Sequence, residues 1–246
     1  VWFSQNARGY TALLFFTMLS SLLLMRALAS DRRGAWAAWG VTLALGAWIH
    51  LTMLFVVAGH ALLALRRRLP GPTRAGALVA RLRQPLLGLS VTAVVTAAVY
   101  APMAGDLLAV TAVEGRAGTV PQWSSTAWAV RETAARVLAT FPRPWLALGA
   151  LVCGVAGVVS VAHRASVLLE LLLFPVTVGL VVVAGSGHHV WPRFFFFAGG
   201  LAALVTAAGA ARLGAALARR STHDPSSVGR AETAAAAALV VAVALG

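Results

Sequence analysis

The chain has 246 residues, of which 60% are hydrophobic and only 11% charged, with a formal net charge of +13. A soluble domain is about half apolar and about a quarter charged, so this composition, with a mean hydropathy of +0.84, excludes an ordinary soluble globule and points to helical membrane spans. All the positive charge is Arg, with no Lys. It flanks apolar runs, which fits membrane topology and lipid phosphates and argues against nucleic acid as a partner.

The fold class read from the sequence is all-α. It is a polytopic helical membrane bundle, with about seven spans plus one truncated span in a single transmembrane domain over 1–246. No alternating strand pattern of the barrel type occurs. The Ala/Arg/Gly/Val bias suggests a GC-rich bacterial genome. The one cysteine, Cys153, rules out an intrachain disulfide and lies in an apolar run, where a thiol is inert. The chain opens at Val1 without Met and closes inside an apolar run, so the expectation is a fragment of a longer membrane protein.

In chain order, a polar heptapeptide, Ser4 to Tyr10, runs into a first span over 9–29. Arg26 in its last turn and Arg32 and Arg33 beyond it put that end in the cytoplasm and residues 4–8 on the other side. Residues 35–65 form one apolar run with Asp31-Arg32-Arg33 before it and Arg66-Arg67-Arg68 after it. As one helix it would be about 46 Å long at 1.5 Å per residue. That exceeds the roughly 30 Å hydrocarbon core and would leave an Arg cluster on each side. Two short helices over 35–49 and 51–65, bent near Trp48-Ile49-His50, satisfy both constraints.

A cytoplasmic stretch over 66–84 follows. Residues 85–104 cross outward with Pro85 at the entry, and 105–144 form a long external segment. Spans over 145–162 and 166–185 come next, with Pro175 as a kink in the second. Residues 186–193 are external, 194–217 cross inward, 221–231 are a polar loop, and 232–246 begin a further span. By this path fourteen of the 20 arginines lie on the cytoplasmic side and six outside, as the positive-inside rule asks.

Three polar clusters converge on the external side: residues 4–10, the long segment, and Ser186 to Arg193. Arg8 is either a bidentate phosphate clamp or a snorkelling interfacial Arg, and the same pair of readings applies to Arg193. Tyr10 is either a hydrogen-bonding group or a belt aromatic. His188 and His189 either shuttle protons or simply face head groups, and no carboxylate or thiol stands at ligand spacing to make them a metal site.

Within the long segment, 125–141 reads as a helix with Trp128, Arg131, Ala135 and Leu138 on one face, Ser124 or Ser125 as its cap and Glu132 in its first turns. It is either a lid or a surface helix. Asp106 and Glu114 are the remaining external carboxylates. Glu170 lies within a span, near enough to its cytoplasmic end to pair with Arg164. His50 and His60 in the hairpin read as polar contacts between helices.

Taken together, Ser4-Gln5-Asn6-Ala7-Arg8-Gly9-Tyr10, the hairpin over Trp36 to Leu65 with its central His, and Trp191-Pro192-Arg193-Phe194 resemble three motifs of polytopic glycosyltransferases of the GT-C fold. These are the protein O-mannosyltransferase-like and aminoarabinose-transferase-like enzymes. The resemblance covers most of residues 1–217. It implies transfer of a sugar from a polyprenyl-phosphate carrier to a lipid, glycan or protein acceptor on the external face of a bacterial plasma membrane. No cofactor is expected, and no metal site is read from these residues. Arg8, Tyr10, His188, His189 and Arg193 would bind the donor, with Arg8 and Arg193 on its phosphate.

Two departures stand out. The family's acidic base lies upstream of the heptapeptide, so the chain as given is expected to be inactive by itself. Asn6 stands where members carry Glu. The rival classes are a transporter or lipid flippase, which would place polar residues in mid-span with inverted symmetry, and a non-catalytic membrane scaffold, which Asn6 keeps open.

Overall fold

The computed structural model describes residues 2–69, 75–106, 109, 126–139, 141–164, 166–185, 192–221 and 233–234. Every regular element among them is helical. In order these are α1 (Trp2–Ser30), α2 (Arg33–Ile49), α3 (Met53–Arg68), α4 (Ala75–Tyr100) with a short 3₁₀ turn Ala101–Met103, α5 (Thr126–Ala139), α6 (Pro144–Arg164) and α7 (Ser166–Gly185). A 3₁₀ segment Pro192–Ala198 then leads into α8 (Gly199–Ser221). Among the described residues, five stretches are long and apolar enough to cross a membrane: Gly9–Ser30, Leu78–Asp106, Pro144–His163, Ser166–Gly185 and Arg193–Arg219. The chain is a helical membrane protein. Its apolar side chains face outward as well as inward: on α6, Leu148, Leu151 and Val155 are 61%, 63% and 58% exposed, a surface that suits lipid and not water.

The contacts divide the chain into two compact units, Val1–Ala129 with Leu173–Gly199, and Val130–Leu172 with Gly200–Gly246. In the first unit, α1 buries Leu13, Thr17, Ser20, Ser21, Leu24 and Ala27, a stripe at three- and four-residue spacing. The helix stops at Asp31, which takes a left-handed φ of 51°, a conformation Asp tolerates better than most residues. α2 starts two residues later. The bend between α2 and α3 falls at 50–52, where His50 is extended (φ −152°, ψ 123°) and its N–H closes α2 on the Gly46 carbonyl. The hairpin read from charge and length is therefore present, as helices of 17 and 16 residues.

α2 packs between α1 and α4. A β-carbon on Gly40 would meet the Gly88 carbonyl, and one on Gly88 would meet Trp39 and the Trp36 carbonyl. Glycine at both positions lets the two backbones touch. The Thr92 hydroxyl donates to the Gly40 and Gly88 carbonyls, each at 3.0 Å. Higher up, the Tyr100 hydroxyl donates to the Ala47 carbonyl at 2.6 Å. Gly88 level with Gly40, and Tyr100 level with Ala47, make α4 run parallel to α2.

Two boundaries differ from the sequence reading. The outward span expected at 85–104 belongs to a helix that begins at Ala75, with Pro85 inside it. Pro lacks a backbone N–H and gives up one helical bond, yet that loss is survivable in a membrane helix where neighbours repack around it. The inward span expected at 194–217 does not start as an α-helix. Residues 192–198 are 3₁₀, opened by Pro192, and the α-helix starts at Gly199. The expected helix over 125–141 is present as Thr126–Ala139, but Arg131, Ala135 and Leu138 on its predicted face are exposed. The span expected at 232–246 lies outside the described residues except for 233–234.

In the second unit, α6 and α8 cross closely through small residues. A β-carbon on Gly157 would meet the Val205 carbonyl, and one on Gly209 the Cys153 carbonyl. Beside this crossing runs an apolar groove of about 1090 Å³, walled by residues such as Leu148, Leu151, Val155 and Val205. Among the described residues, Thr206 is the one hydroxyl residue in its wall, and it is satisfied by the Ala202 carbonyl at 2.9 Å.

Candidate functional site

The 3₁₀ segment carries four consecutive phenylalanines, Phe194–Phe197, and they fix its position in the first unit. Phe197 is 1% exposed. Its ring lies 6.5 Å from Phe55 of α3 and 6.2 Å from Phe195. Phe194 and Phe195 pack on Val183 of α7, together with Phe55, Leu180 and Trp128. Gly179 makes room for Phe195 and Phe55, which a β-carbon there would meet at 3.0 and 3.2 Å. With the run anchored this way, Phe196 turns to α1, its ring centroid 5.3 Å from that of Tyr10. Arg193 is left exposed at the start of the segment.

Tyr10 also meets the hairpin bend. Its ring centroid is 5.0 Å from that of His50, and a β-carbon on Gly9 would lie 4.0 Å from His50 Cδ2. His50 Nδ1 accepts the Thr52 backbone N–H at 3.3 Å and stands 2.8 Å from the Thr52 hydroxyl. A ring nitrogen that accepts is unprotonated, so in the neutral ring Nε2 carries the hydrogen and is free to donate. Burial pushes the His50 imidazole below its ordinary value, and the Arg193 charge pushes it the same way. His50 lies in the bend, outside every candidate span.

One corner of the first unit therefore collects a phenol, an imidazole and a guanidinium, from α1, the α2–α3 bend and the 3₁₀ segment. All three can donate hydrogen bonds, and Arg193 is a full positive charge. The set suits an anion with several acceptor oxygens. Among the described residues, no group of three or more His, Cys, Asp or Glu is placed to hold a metal ion.

Of the residues expected to bind a substrate, Tyr10 and Arg193 are brought to this corner. Arg8 lies on α1 two residues before Tyr10, with only its backbone described. His188 and His189 lie outside the described residues, as do Glu114, Ser124 and Ser125. Asp106 is exposed beyond the end of α4. Glu170 is buried in α7 at 8% exposure; its suggested partner Arg164 has no described side chain.

His50 and Thr52 were not expected in the site. The signal that could have found them was the predicted bend itself, because a helical hairpin presents its turn at the same level as the mouth of the preceding span. His60 keeps the interhelical role read for it. Its Nδ1 accepts the Trp39 indole N–H at 3.3 Å, and its Nε2 is 3.3 Å from the Ser21 hydroxyl. Searches against family models, curated proteins and solved structures found no match to this chain.

Proposed function

We propose that the protein acts as a bacterial membrane glycosyltransferase that takes a sugar from a polyprenyl-phosphate donor. The observation that supports this is the Tyr10–His50–Arg193 corner. In the reaction the bond between the sugar's anomeric carbon and the phosphate oxygen breaks, and polyprenyl phosphate leaves. A new bond forms from the acceptor hydroxyl oxygen to that carbon. The acceptor's proton goes to a carboxylate, which the family resemblance puts upstream of Ser4.

The residues of this chain act on the phosphate. Negative charge grows there as the bond breaks, so fixed donors around it lower the barrier more than they tighten ground-state binding. Arg193 offers a planar fork that matches two phosphate oxygens. His50 offers Nε2–H while its other nitrogen is held by Thr52. Tyr10 offers a hydroxyl. Phe196 and its neighbours keep Arg193 in register with α1.

The test is sugar transfer from a polyprenyl-phosphate donor by the full-length protein in membranes. Removing one donor to a developing oxyanion costs about 10²–10³ in kcat. Arg193→Ala is expected to lose at least about 10²-fold on that scale, with a smaller loss for His50→Gln. Transfer at the unsubstituted rate by both variants would sink the assignment.

A further inference from the structure

We propose that the apolar groove of the second unit holds one anionic phospholipid, with its phosphate at Arg143 and an acyl chain laid along α6 and α8. The groove opens beside Leu148, Leu151 and Val155, which are exposed on a helix long and apolar enough to cross a membrane. A buried water needs about two to four polar partners. The wall is apolar, and the Thr206 hydroxyl is already given to the Ala202 carbonyl, so the groove suits hydrocarbon. Its length suits one lipid. The lining residues on α6 run from Pro144 to Val159, about 22 Å at 1.5 Å per residue. A bilayer with its head groups is about 40–45 Å thick, so a single monolayer has about the depth of the groove. A much longer isoprenoid chain would run past its end.

Charge identifies the head group. Phe141 and Pro144 line the groove, and Arg143 stands between them in the chain, exposed. Its carbonyl accepts the Leu146 N–H at 3.0 Å, which ties this residue to the first turn of α6. A guanidinium fork pairs with two oxygens of a phosphodiester. A zwitterionic head group brings a cation of its own, which Arg143 repels, so an anionic one such as phosphatidylglycerol gains more. Trp145, 62% exposed beside it, is the residue type that marks the membrane interface. Gly154 supplies the room. Unlike Gly157 and Gly209, it is not demanded by touching backbones: a β-carbon there would lie 3.8 Å from Thr206 Oγ1, an ordinary contact. It lines the groove all the same, so a larger side chain at 154 would take the place of a lipid chain without forcing the helices apart. The groove and Arg143 belong to the second unit, and the proposal does not depend on sugar transfer.

The experiment uses the whole chain in phosphatidylcholine vesicles doped with phosphatidylglycerol that carries a photoactivatable diazirine in its acyl chain. After illumination, labelled peptides are located and quantified by mass spectrometry. The exposed face of α4 at Val79 and Val94 is the reference for ordinary lipid contact. Labelling of residues 144–159 and 202–207 is expected to exceed labelling around Val79 and Val94 about fivefold or more, the equivalent of ~1 kcal/mol for one basic residue near the surface. Gly154→Leu is expected to abolish the excess by filling the groove, and Arg143→Gln to bring it down to the level given by a diazirine phosphatidylcholine. Equal labelling of the two regions in the unsubstituted protein overturns the proposal, as does an unchanged excess in either variant. Stronger competition by polyprenyl phosphate than by unlabelled phosphatidylglycerol assigns the groove to an isoprenoid and also overturns it. The comparison of regions and the competition need no substitution, so a variant that fails to fold leaves the proposal testable.

Discussion

At His60 both ring nitrogens are committed. Nδ1 takes the Trp39 N–H, so Nε2 carries the hydrogen. The Ser21 hydroxyl gives its own hydrogen to the Thr17 carbonyl at 2.8 Å and so accepts from Nε2. One side chain thereby ties α1, α2 and α3 together inside an apolar unit. His60→Ala leaves a cavity and an unpaired indole N–H, and is expected to cost about 2–4 kcal/mol. Ser21→Ala removes one interhelical bond and is expected to cost about 0.6 kcal/mol. Unfolding of both variants in detergent measures the difference.

His50 carries the opposite kind of prediction. Its imidazole titrates below 6.5 in the folded chain, so as pH falls through that region the unfolded chain takes up a proton first. The unfolded state then binds more protons, and stability falls with falling pH. His50→Asn is expected to flatten this limb, and a Tm series from about pH 7 to pH 5 reads it. Tyr10 and Arg193 were legible from the sequence, because each borders a span on the expected face. His50's place beside them was not, because its partners are remote in the chain and only the docking of the phenylalanine run brings them together.

Among the elements, the crossing of α2 and α4 has the sharpest steric requirement. Gly40→Ala would drive a methyl group into the Gly88 carbonyl and separate Thr92 from its acceptor on α2, the Gly40 carbonyl. Overpacking of this kind costs about 1–3 kcal/mol. Gly34→Ala, in the same helix with open space around it, is expected to be neutral or to gain up to about 1 kcal/mol of helix propensity. A Tm comparison of the pair separates crowding from any general effect of losing glycine.

The hairpin was readable because an apolar run too long for one span had the same charge at both ends. The start of α4 was misjudged for the reverse reason. Pro85, Arg81 and Arg83 look like a boundary, but arginine stems can lie along a helix while their heads reach out, and the helix runs through them. The 3₁₀ character of 192–198 has no period-based signature. The four phenylalanines read as apolar span, and which way each ring turns depends on α1, α3 and α7.

For the molecule as a whole, composition alone established the membrane class, and the outward-facing apolar side chains of α6 agree with it. The protein is expected to remain with the membrane after an alkaline carbonate wash and to be released by detergent; recovery in the washed supernatant would contradict the reading. The pairing of helices inside each unit was not legible, because it rests on which glycines meet which carbonyls.

The clasp between Asp31 and Arg68 has one more consequence, for biogenesis. It joins the two ends of the α2–α3 hairpin, with the Arg68 guanidinium also 5.5 Å over the Trp36 ring. A hairpin fastened at its open end need never thread either terminus across the bilayer. It can enter from one side as a pair, bend first, with each helix shielding the other's polar residues, and the arginines left behind mark the side from which it came.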